Sequence, residues 1–384
     1  MSQSNTRQTV LVTGESGFVA SHCVLKLHDA GHSIRATLRS LERASAIDEV
    51  LRRANGAAVP VAWFEADLGD AAGWQQAMAG VDYVLHIASP FPRVLPKTPE
   101  ELIEPARDGA LRVLRAAAAA GVKRVVMTSS TAAIVYGRGN IGRPFTEADW
   151  SDPDGADNSA YTRSKTFAER AAWDFMKSDT SGMQLTTINP GAVLGPVLEK
   201  DYGTSAELVL KLLKGDFPGL PRLGFPLIDV RDVADLHVRA MTHPDAPGKR
   251  FLCTNDFMWM EEVAAVLRAH LPDYANKLPT RRLPNWAVRA VALFDPVTRG
   301  VTFELGVRRD CDTSLARAVL GFAPLESRRH HRDGRQPVGP TTVVRGGIGE
   351  QTGLDYRCIV GHRQGGGAGV GRGWPSGIHR CPSR

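Results

Sequence analysis

The chain has 384 residues, 43% of them hydrophobic and 23% charged, a length that corresponds to two or three domains at about 150 residues each. Five scattered cysteines without a CxxC pair argue against a disulfide framework or a zinc ribbon and favour a reducing, cytoplasmic setting; they are Cys23, Cys253, Cys311, Cys358 and Cys381. The sequence contains no run of about 18 apolar residues, and its start lacks the basic-then-apolar order of a signal peptide. We therefore expect a soluble protein without a membrane partner.

The formal net charge of +6 resides in the last part of the chain. Residues 328–384 contain ten arginines, no lysine and three acids, which leaves a balance of −1 for everything before them. This segment also holds 14 of the 38 glycines and has no apolar periodicity, so we expect a disordered tail. Such a tail could contact RNA through its charge, but the nearly neutral body gives no reason to expect a nucleic-acid partner.

Short apolar runs alternate with helical patterns along the first half of the chain. Strands are predicted at residues 9–13, 33–38, 61–65, 81–88, 122–128 and 185–189. The helix before the fifth strand ends in a run of alanines followed by Gly121, the residue type preferred just after a helix. Because most of these strands are apolar throughout, the pattern predicts an α/β fold of the Rossmann type, with a doubly wound parallel sheet covered on both faces. We assign residues 1–194 to this domain.

The regular alternation stops after Gly191, where prolines and glycines interrupt the pattern. We assign residues 195–327 to a smaller, discontinuous C-terminal domain that binds substrate. A helix at 228–241 and a strand at 250–253 predict that residues 228–255 return to the first domain, before another helix at 261–271.

A TGxxGxxA motif joins the first strand to the first helix. At these positions Gly14 permits a tight turn, Gly17 lets the backbone approach a pyrophosphate, and Ala20 allows the helix to pack closely on the strand. The motif predicts a dinucleotide site, and the alternative is an ordinary tight turn. We expect further contacts to the dinucleotide from three neighbours, Ser16, Phe18 and Val19.

The end of the second strand indicates which dinucleotide is bound. NAD sites place an acid on the ribose 2′-hydroxyl about 20 residues after the glycines, but residues 34–40 contain no acid. Arg39 can instead pair with a 2′-phosphate, and Arg43 can assist, so the sequence favours NADP. The alternative is that Arg35 and Arg39 are solvated charges at the strand edge. Asp67 and Leu68 follow the third strand, where such a fold would hold the adenine ring.

A YxxxK motif begins a helix with an apolar stripe. Tyr161 and Lys165 are four residues apart, so both side chains project from one face. A nearby ammonium group favours the phenolate form, and we expect it to lower the pKa of Tyr161 from its usual value of about 10. Tyr161 would then serve as a general acid at neutral pH.

Three hydroxyl residues follow the fifth strand: Ser129, Ser130 and Thr131. Side chains at the carboxyl end of a parallel strand face the ligand crevice, and one of these hydroxyls can stabilise charge that develops on a carbonyl oxygen. Spacing alone leaves the choice among them open, and local backbone bonding is the alternative role for each.

These motifs together resemble the extended short-chain dehydrogenase/reductase superfamily, and within it the group of dihydroflavonol reductase, cinnamoyl-CoA reductase and yeast methylglyoxal reductase. The resemblance covers residues 10–324 and is carried by TGESGFVAS (13–21), RATLRS (35–40), HIASPF (86–91), TSS (128–130), YTRSK (161–165), NPGAVLGP (189–196), TSAELV (204–209) and IDVRDVA (228–234).

The resemblance implies an NADPH-dependent reductase that converts an aldehyde or ketone to an alcohol. In the family pattern the last serine of TSS is catalytic, which corresponds to Ser130, while Tyr161 protonates the oxygen and Lys165 binds the nicotinamide ribose and tunes the tyrosine. The pattern also implies cofactor contacts from Ile87, Ala88, Ser89, Pro190, Gly191, Val193 and Ser205. We expect a small-molecule carbonyl substrate, no metal, and a monomer or homodimer.

Two other functions remain open on this fold. A nucleotide-sugar epimerase or dehydratase with tightly held NAD shares the serine and YxxxK motifs, although Arg39 argues against it. An NADP-sensing binding protein shares the fold, although such proteins have commonly lost the tyrosine that this chain retains at 161.

The sequence departs from the family pattern in two places. Glu15 puts a carboxylate in the turn meant for pyrophosphate, and the Arg/Gly-rich tail stands where family members have one more helix. We interpret the residues after about 326 as the product of a shifted reading frame. Four tail residues could be drawn together as a zinc site, but no structured frame surrounds them; they are Cys358, His362, His379 and Cys381.

Overall fold

Ten strands and eleven α-helices form the part of the chain that the computed structural model describes, residues 7–14, 17–90, 98–198 and 203–325. The strands are β1 (Thr9–Thr13), β2 (Ser33–Leu38), β3 (Val61–Glu65), β4 (Tyr83–His86), β5 (Arg124–Thr128), β6 (Gln184–Pro190), β7 (Ala192–Leu194), β8 (Gly224–Asp229), β9 (Arg250–Cys253) and β10 (Phe257–Trp259). The helices are α1 (Phe18–Asp29), α2 (Ala44–Asn55), α3 (Trp74–Met78), α4 (Glu100–Ala119), α5 (Ala160–Ser178), α6 (Gly203–Lys214), α7 (Val230–Thr242), α8 (Met260–His270), α9 (Asn285–Val291), α10 (Pro296–Arg299) and α11 (Ser314–Leu320).

Seven of the strands form one parallel sheet in the order β3-β2-β1-β4-β5-β6-β9. In the central strand, Val10 and Val12 face one apolar layer with α1, α2 and α7, whereas Leu11 faces another with α3, α4 and α5. All three side chains are fully buried, which is why the strand reads as a continuous apolar run. The predicted doubly wound Rossmann-type sheet is confirmed.

Most predicted strand bounds agree with the structure, and three predictions were wrong in detail. The predicted strand 122–128 begins at Arg124, because the Val122 N–H still donates to the Ala117 carbonyl oxygen of α4. The predicted strand 81–88 is only Tyr83–His86, because the N–H groups of Ile87 and Ala88 donate to the Thr13 hydroxyl at its end. The predicted helix 228–241 begins at Val230. Asp229 ends β8, and its carboxylate accepts the Arg231 N–H at 2.8 Å, so it is the N-cap that separates strand from helix.

A second, three-stranded sheet has the order β10-β8-β7, with β10 antiparallel to β8. It packs with α6 and α8 around an apolar cluster that includes Leu212, Leu227 and Leu267. Between β8 and β10 the chain returns to the main sheet through β9, which pairs with β6. No helix among the described residues is long and apolar enough to cross a membrane. The predictions of a disordered or frame-shifted tail, and of its cysteine and histidine cluster, concern residues outside those described.

Two fully buried histidines hold neighbouring strand ends. His237 on α7 lies with Nε2 2.7 Å from the Thr128 hydroxyl and Nδ1 2.8 Å from the Val233 carbonyl oxygen. His86 ends β4, with Nδ1 2.9 Å from the Thr13 hydroxyl. Burial lowers the pKa of His237 to about 4, and burial together with the charge of Lys165 lowers that of His86 to about 3. Both imidazoles are therefore neutral in the folded protein at physiological pH.

Acid should destabilise the fold through these two histidines. Below about pH 6.5 the unfolded chain protonates both side chains while the folded chain does not, so stability falls as the pH is lowered toward the folded pKa values. Between about pH 7.5 and pH 5 each histidine contributes about 2 kcal/mol to the loss. Urea unfolding at the two pH values measures it. The variant His237→Gln should lose about 2 kcal/mol less than the wild type over this interval, and an equal loss in both proteins would contradict the burial argument.

Candidate active site

The carboxyl ends of the parallel strands bring most of the predicted site residues to one edge of the main sheet, where this type of fold binds ligands. The residues that follow β1 to β6 at this edge are Gly14, Arg39, Asp67, Leu68, Ile87, Ala88, Ser89, Ser130 and Gly191, and Pro190 ends β6 itself. Phe18 and Val19 begin α1, and Tyr161 and Lys165 lie in the first turns of α5. The predicted Ser16 and the unusual Glu15 lie outside the described residues.

Gly14 is required by the close approach of β1 and β4. Its φ is +75°, and a Cβ atom there would lie 2.8 Å from Ala88 Cα. Gly17 stands at the N-cap of α1, where no side chain caps the helix and no acid occupies the first turn. The first N–H groups of α1 are thus not used by a capping side chain, and backbone N–H groups at the start of a helix can bind an anion such as a pyrophosphate.

Thr13 ties the strand that precedes this turn to the segment after β4. Its hydroxyl oxygen accepts the N–H groups of Ile87 and Ala88, both at 3.1 Å, which leaves the hydroxyl hydrogen for His86 Nδ1. Residues 87–89 are held beside Gly14 in this way. No role was predicted for Thr13, although it is the first residue of the TGxxGxxA motif, because spacing does not show the contact between its hydroxyl and the segment after β4.

Ser130, Tyr161 and Lys165 come together where β5 ends and α5 begins. Ser159 and Thr162 form a capping box that fixes the start of α5. A hydrogen bond joins the hydroxyl groups of Tyr161 and Ser130. Lys165 Nζ lies 5.7 Å from the centroid of the Tyr161 ring and donates to Ser89 Oγ at 2.9 Å. The three side chains therefore border one space together with the segment after β4.

The structure distinguishes the three hydroxyl groups that the sequence left open. The Ser129 hydroxyl donates to the Glu169 carboxylate at 2.5 Å, away from Tyr161. The Ser130 hydroxyl accepts the Ala132 N–H at 3.1 Å and also reaches Tyr161. Thr131 is buried in a short 3₁₀ turn. Of the three, Ser130 has the geometry to share a ligand oxygen with Tyr161.

The expected lowering of the Tyr161 pKa was wrong. Burial raises the pKa of this phenol, and the hydrogen bond from Ser130 only partly opposes the increase. Burial also lowers the pKa of Lys165 to about 8, although the charge of Glu169 acts in the opposite direction. Desolvation disfavours the charged form of both groups. Tyr161 is thus a protonated phenol at neutral pH, the form that donates a proton, and the charge of Lys165 begins to be lost just above neutrality.

The two arginines predicted to select the dinucleotide are both exposed near the end of β2. Arg39 has no ion-pair partner among the described residues, and Arg43 ends a short 3₁₀ turn capped by Ser40. The neighbouring Arg35 is different, because it donates to the Ala79 carbonyl oxygen at 2.6 Å and lies over the Phe64 ring. Arg39 is therefore available to an anionic ligand, whereas Arg35 is part of the structure.

Of the remaining predicted cofactor residues, Asp67, Leu68 and Gly191 follow strands of the main sheet, whereas Val193 lies in the small sheet and Ser205 in α6. Asp67 Oδ1 accepts the Gly69 N–H at 2.6 Å, and the Leu68 side chain packs against Gly109 of α4. Gly191 passes so close to β8 that a Cβ there would lie 2.2 Å from the Pro226 carbonyl oxygen. Val193 pairs with β8, and Ser205 is half-buried in α6. Within the described ranges, no group of three or more His, Cys, Asp or Glu side chains could hold a metal ion.

Two functional candidates escaped the sequence reasoning. Glu169 is fully buried behind the site, where it pairs with Arg250 at 2.7 Å. An acid four residues after Lys165 within an apolar helix stripe was the available signal. The phenol of Tyr136 lies close enough to that of Tyr161 for the two to interact electrostatically. It hydrogen-bonds to the buried Glu304, and no local pattern in the sequence marks that contact.

Comparison with known proteins gives consistent similarities. Residues 10–253 match the model of the NAD dependent epimerase/dehydratase family. A cinnamoyl-CoA reductase of Medicago truncatula is 35% identical over 284 residues, which are 71% of this chain and 83% of that protein. A ketoreductase of Aspergillus niger is 32% identical over 335 residues, 82% of this chain and 97% of that protein. The crystal structure of yeast methylglyoxal/isovaleraldehyde reductase complexed with NADPH is 26% identical with a TM-score of 0.70, covering 88% of this chain and 96% of that one.

Substitution of Gly14 should test the close approach of β1 and β4. Gly14→Ala should cost about 1–2 kcal/mol for the left-handed backbone and about 1–3 kcal/mol more for the clash with Ala88. Gly80→Ala is the matched control, because Gly80 has φ +70° and nothing within 4 Å of an added Cβ. Urea unfolding should show the larger loss at Gly14, and equal losses would contradict the clash.

Proposed function

Because the chain belongs to the NAD-dependent epimerase/dehydratase family, we propose that it is an NADPH-dependent reductase that converts an aldehyde or ketone to an alcohol. The observation that carries this proposal is the meeting of Ser130, Tyr161 and Lys165 beside the glycine turn after β1. The relatives support it. The Medicago truncatula and Aspergillus niger proteins are named as reductases, and the yeast structure contains NADPH.

The residues present fit a dinucleotide phosphate cofactor. A side chain at Gly14 would fill the space beside Ala88, and the first turn of α1 carries no acid that would repel a phosphate. The cofactor would be held by the turn at Gly14 and Gly17, by residues 87–89, and by Lys165 at the nicotinamide ribose. Arg39, exposed at the end of β2, would pair with the 2′-phosphate that distinguishes NADP from NAD.

Ser130 after β5 supplies a hydrogen bond for the reaction. Tyr161 and Lys165 on α5 supply the proton and the positive charge. A bound NADPH would supply the hydride for the carbonyl carbon. The Ser130 hydroxyl donates a hydrogen bond to the carbonyl oxygen and stabilises the charge that develops on it. Tyr161 then transfers its phenolic proton to that oxygen, which completes the alcohol. Its raised pKa keeps this proton in place at neutral pH, and the charge of Lys165 stabilises the phenolate that remains.

The proton-donor role of Tyr161 can be tested directly. NADPH and a panel of aldehydes and ketones, followed at the nicotinamide absorbance, should reveal turnover in the wild-type protein. Tyr161→Phe should lower kcat about 10²–10⁴-fold with little change in the Kd for NADPH, since the hydroxyl is lost and the ring stays. Tyr83→Phe at the opposite end of β4 is the control and should leave kcat unchanged. Absence of NADPH oxidation with every carbonyl, together with copurified NAD, would favour the epimerase alternative.

Selection of NADPH over NADH should depend on Arg39. Arg39→Ser should raise the KM for NADPH about 10–100-fold, the equivalent of one charge-assisted hydrogen bond, and leave the KM for NADH nearly unchanged. Arg35→Met is the matched control on the same strand, and it should lower stability through its lost carbonyl contacts without altering cofactor preference. A wild-type preference for NADPH that survives Arg39→Ser would contradict the assignment.

A further inference from the structure

We propose that Glu169, fixed by Arg250, is a positioning residue of the reductase, which orients the strand end that carries Ser130 and sets the charge state of Lys165. The inference rests on the proposed function, because it assigns Glu169 a role toward the side chains that would carry out the reduction. It concerns a buried carboxylate that does not itself reach the substrate space.

Glu169 is the centre of a fully satisfied buried network. Its side chain has no exposed surface. One carboxylate oxygen, Oε2, accepts the Ser129 hydroxyl at 2.5 Å and Asn189 Nδ2 at 2.7 Å. The other, Oε1, accepts the Thr187 hydroxyl at 3.0 Å and Trp173 Nε1 at 3.3 Å. The carboxylate thereby joins α5 to β6 and to the residue after β5.

Arg250 on β9 supplies the opposite charge and is itself held in place. Its Nε donates to Glu169 Oε1 at 2.7 Å, and one terminal nitrogen donates to the carbonyl oxygens of Glu147 and Asp149 at 2.8 and 2.7 Å. Its guanidinium carbon lies 3.7 Å from the centroid of the Trp150 ring. Burial would raise the pKa of Glu169, but the charge and hydrogen bonds of Arg250 lower it overall. Glu169 is therefore charged at neutral pH.

The network reaches Ser130 through its backbone. Asn189 Nδ2, which donates to Glu169, also lies 3.2 Å from the Ser130 carbonyl oxygen. The Ser129 hydroxyl is held by the same carboxylate, so the two serines after β5 are oriented from behind. This leaves the Ser130 hydroxyl to face Tyr161.

The network reaches Lys165 through charge. Glu169 lies one helical turn after Lys165 on the same face of α5. Among the residues that the structure describes, the other groups that face Lys165 are Tyr161 on α5, Ser89 after β4 and His86 at the end of β4, and all three are uncharged at neutral pH. Glu169 is thus the negative charge that opposes the burial of the ammonium group. Without it, Lys165 would lose its proton at lower pH.

The experiment compares Glu169→Gln with Glu147→Gln. Glu147 is a second carboxyl near Arg250, half-buried, but its side chain accepts the Leu252 N–H and does not contact Ser129 or Asn189. Competitive acetylation of the cofactor-free protein with acetic anhydride, read by mass spectrometry over a range of pH, reports the pKa of Lys165. We expect a decrease of about one pH unit in Glu169→Gln and no change in Glu147→Gln.

The pH profile of turnover gives the second measurement. A decrease of about one unit in the pKa of Lys165 lowers the ratio of kcat at about pH 8 to kcat at about pH 6.5 roughly fourfold in Glu169→Gln. Glu147→Gln should keep the wild-type ratio. A Glu169→Gln protein that loses stability but keeps both the labelling curve and the kcat ratio of the wild type would overturn the proposal, because a purely structural role would do that.

Removal of one partner from a buried ion pair can unfold a protein, so the experiment includes a second variant in which both partners are replaced. The double variant Glu169→Gln/Arg250→Gln leaves no unpaired buried charge, and it should show the same lowered pKa of Lys165 by labelling. An unchanged labelling curve in this variant would also contradict the proposal. Labelling needs neither substrate nor NADPH, so a protein without reductase activity would refute the proposed function, while the labelling result would still decide the influence of Glu169 on Lys165.

Discussion

The buried ion pair between Glu169 and Arg250 connects the parts of the molecule that must keep a fixed relation to one another. It joins the helix that carries Tyr161, the last strand of the main sheet and the loop around Trp150. A buried ion pair is stabilising only when its remaining polar atoms are also satisfied, and here hydroxyl, amide and carbonyl groups satisfy them. These hydrogen bonds offset the desolvation cost of the two charges. They also hold the strand end that carries Ser130 rigid.

Burial raises the pKa of Tyr161 and lowers that of Lys165, so it favours the neutral form of each side chain. The phenol keeps its proton more strongly, while the ammonium releases its proton more easily. A protonated phenol beside a lysine that is still charged near neutral pH is the combination that a reduction needs, since the proton must leave the phenol only as charge develops on the substrate oxygen. The reverse reaction, an alcohol oxidation, would start from the phenolate form of Tyr161.

Sequence patterns predicted the fold and the candidate residues well where the signal is local. The glycine turn, the apolar strands and the YxxxK helix each lie within a few consecutive residues, and the structure places Ser130 beside Tyr161 at the expected strand end. The sequence could not identify contacts between distant residues, such as Arg250 with Glu169 or Glu304 with Tyr136. It also misjudged the pKa of Tyr161, because spacing shows that a lysine is near but not how completely the phenol is removed from water. The predicted start of the helix at residue 228 was wrong for another reason, since Asp229 both ends a strand and caps a helix.

The return of the chain to β9 has a consequence for biosynthesis. Glu169 and Arg250 are 81 residues apart, and two of the three strands of the small sheet, β7 and β8, are made between them. At about 5–20 residues per second, the carboxylate therefore leaves the ribosome roughly 4–16 s before its partner. During that interval the core around α5 would have to enclose an unpaired charge, which is unfavourable. The Rossmann sheet thus cannot reach its final packing on a nascent chain until β9 is available, although six of its seven strands have already been synthesised.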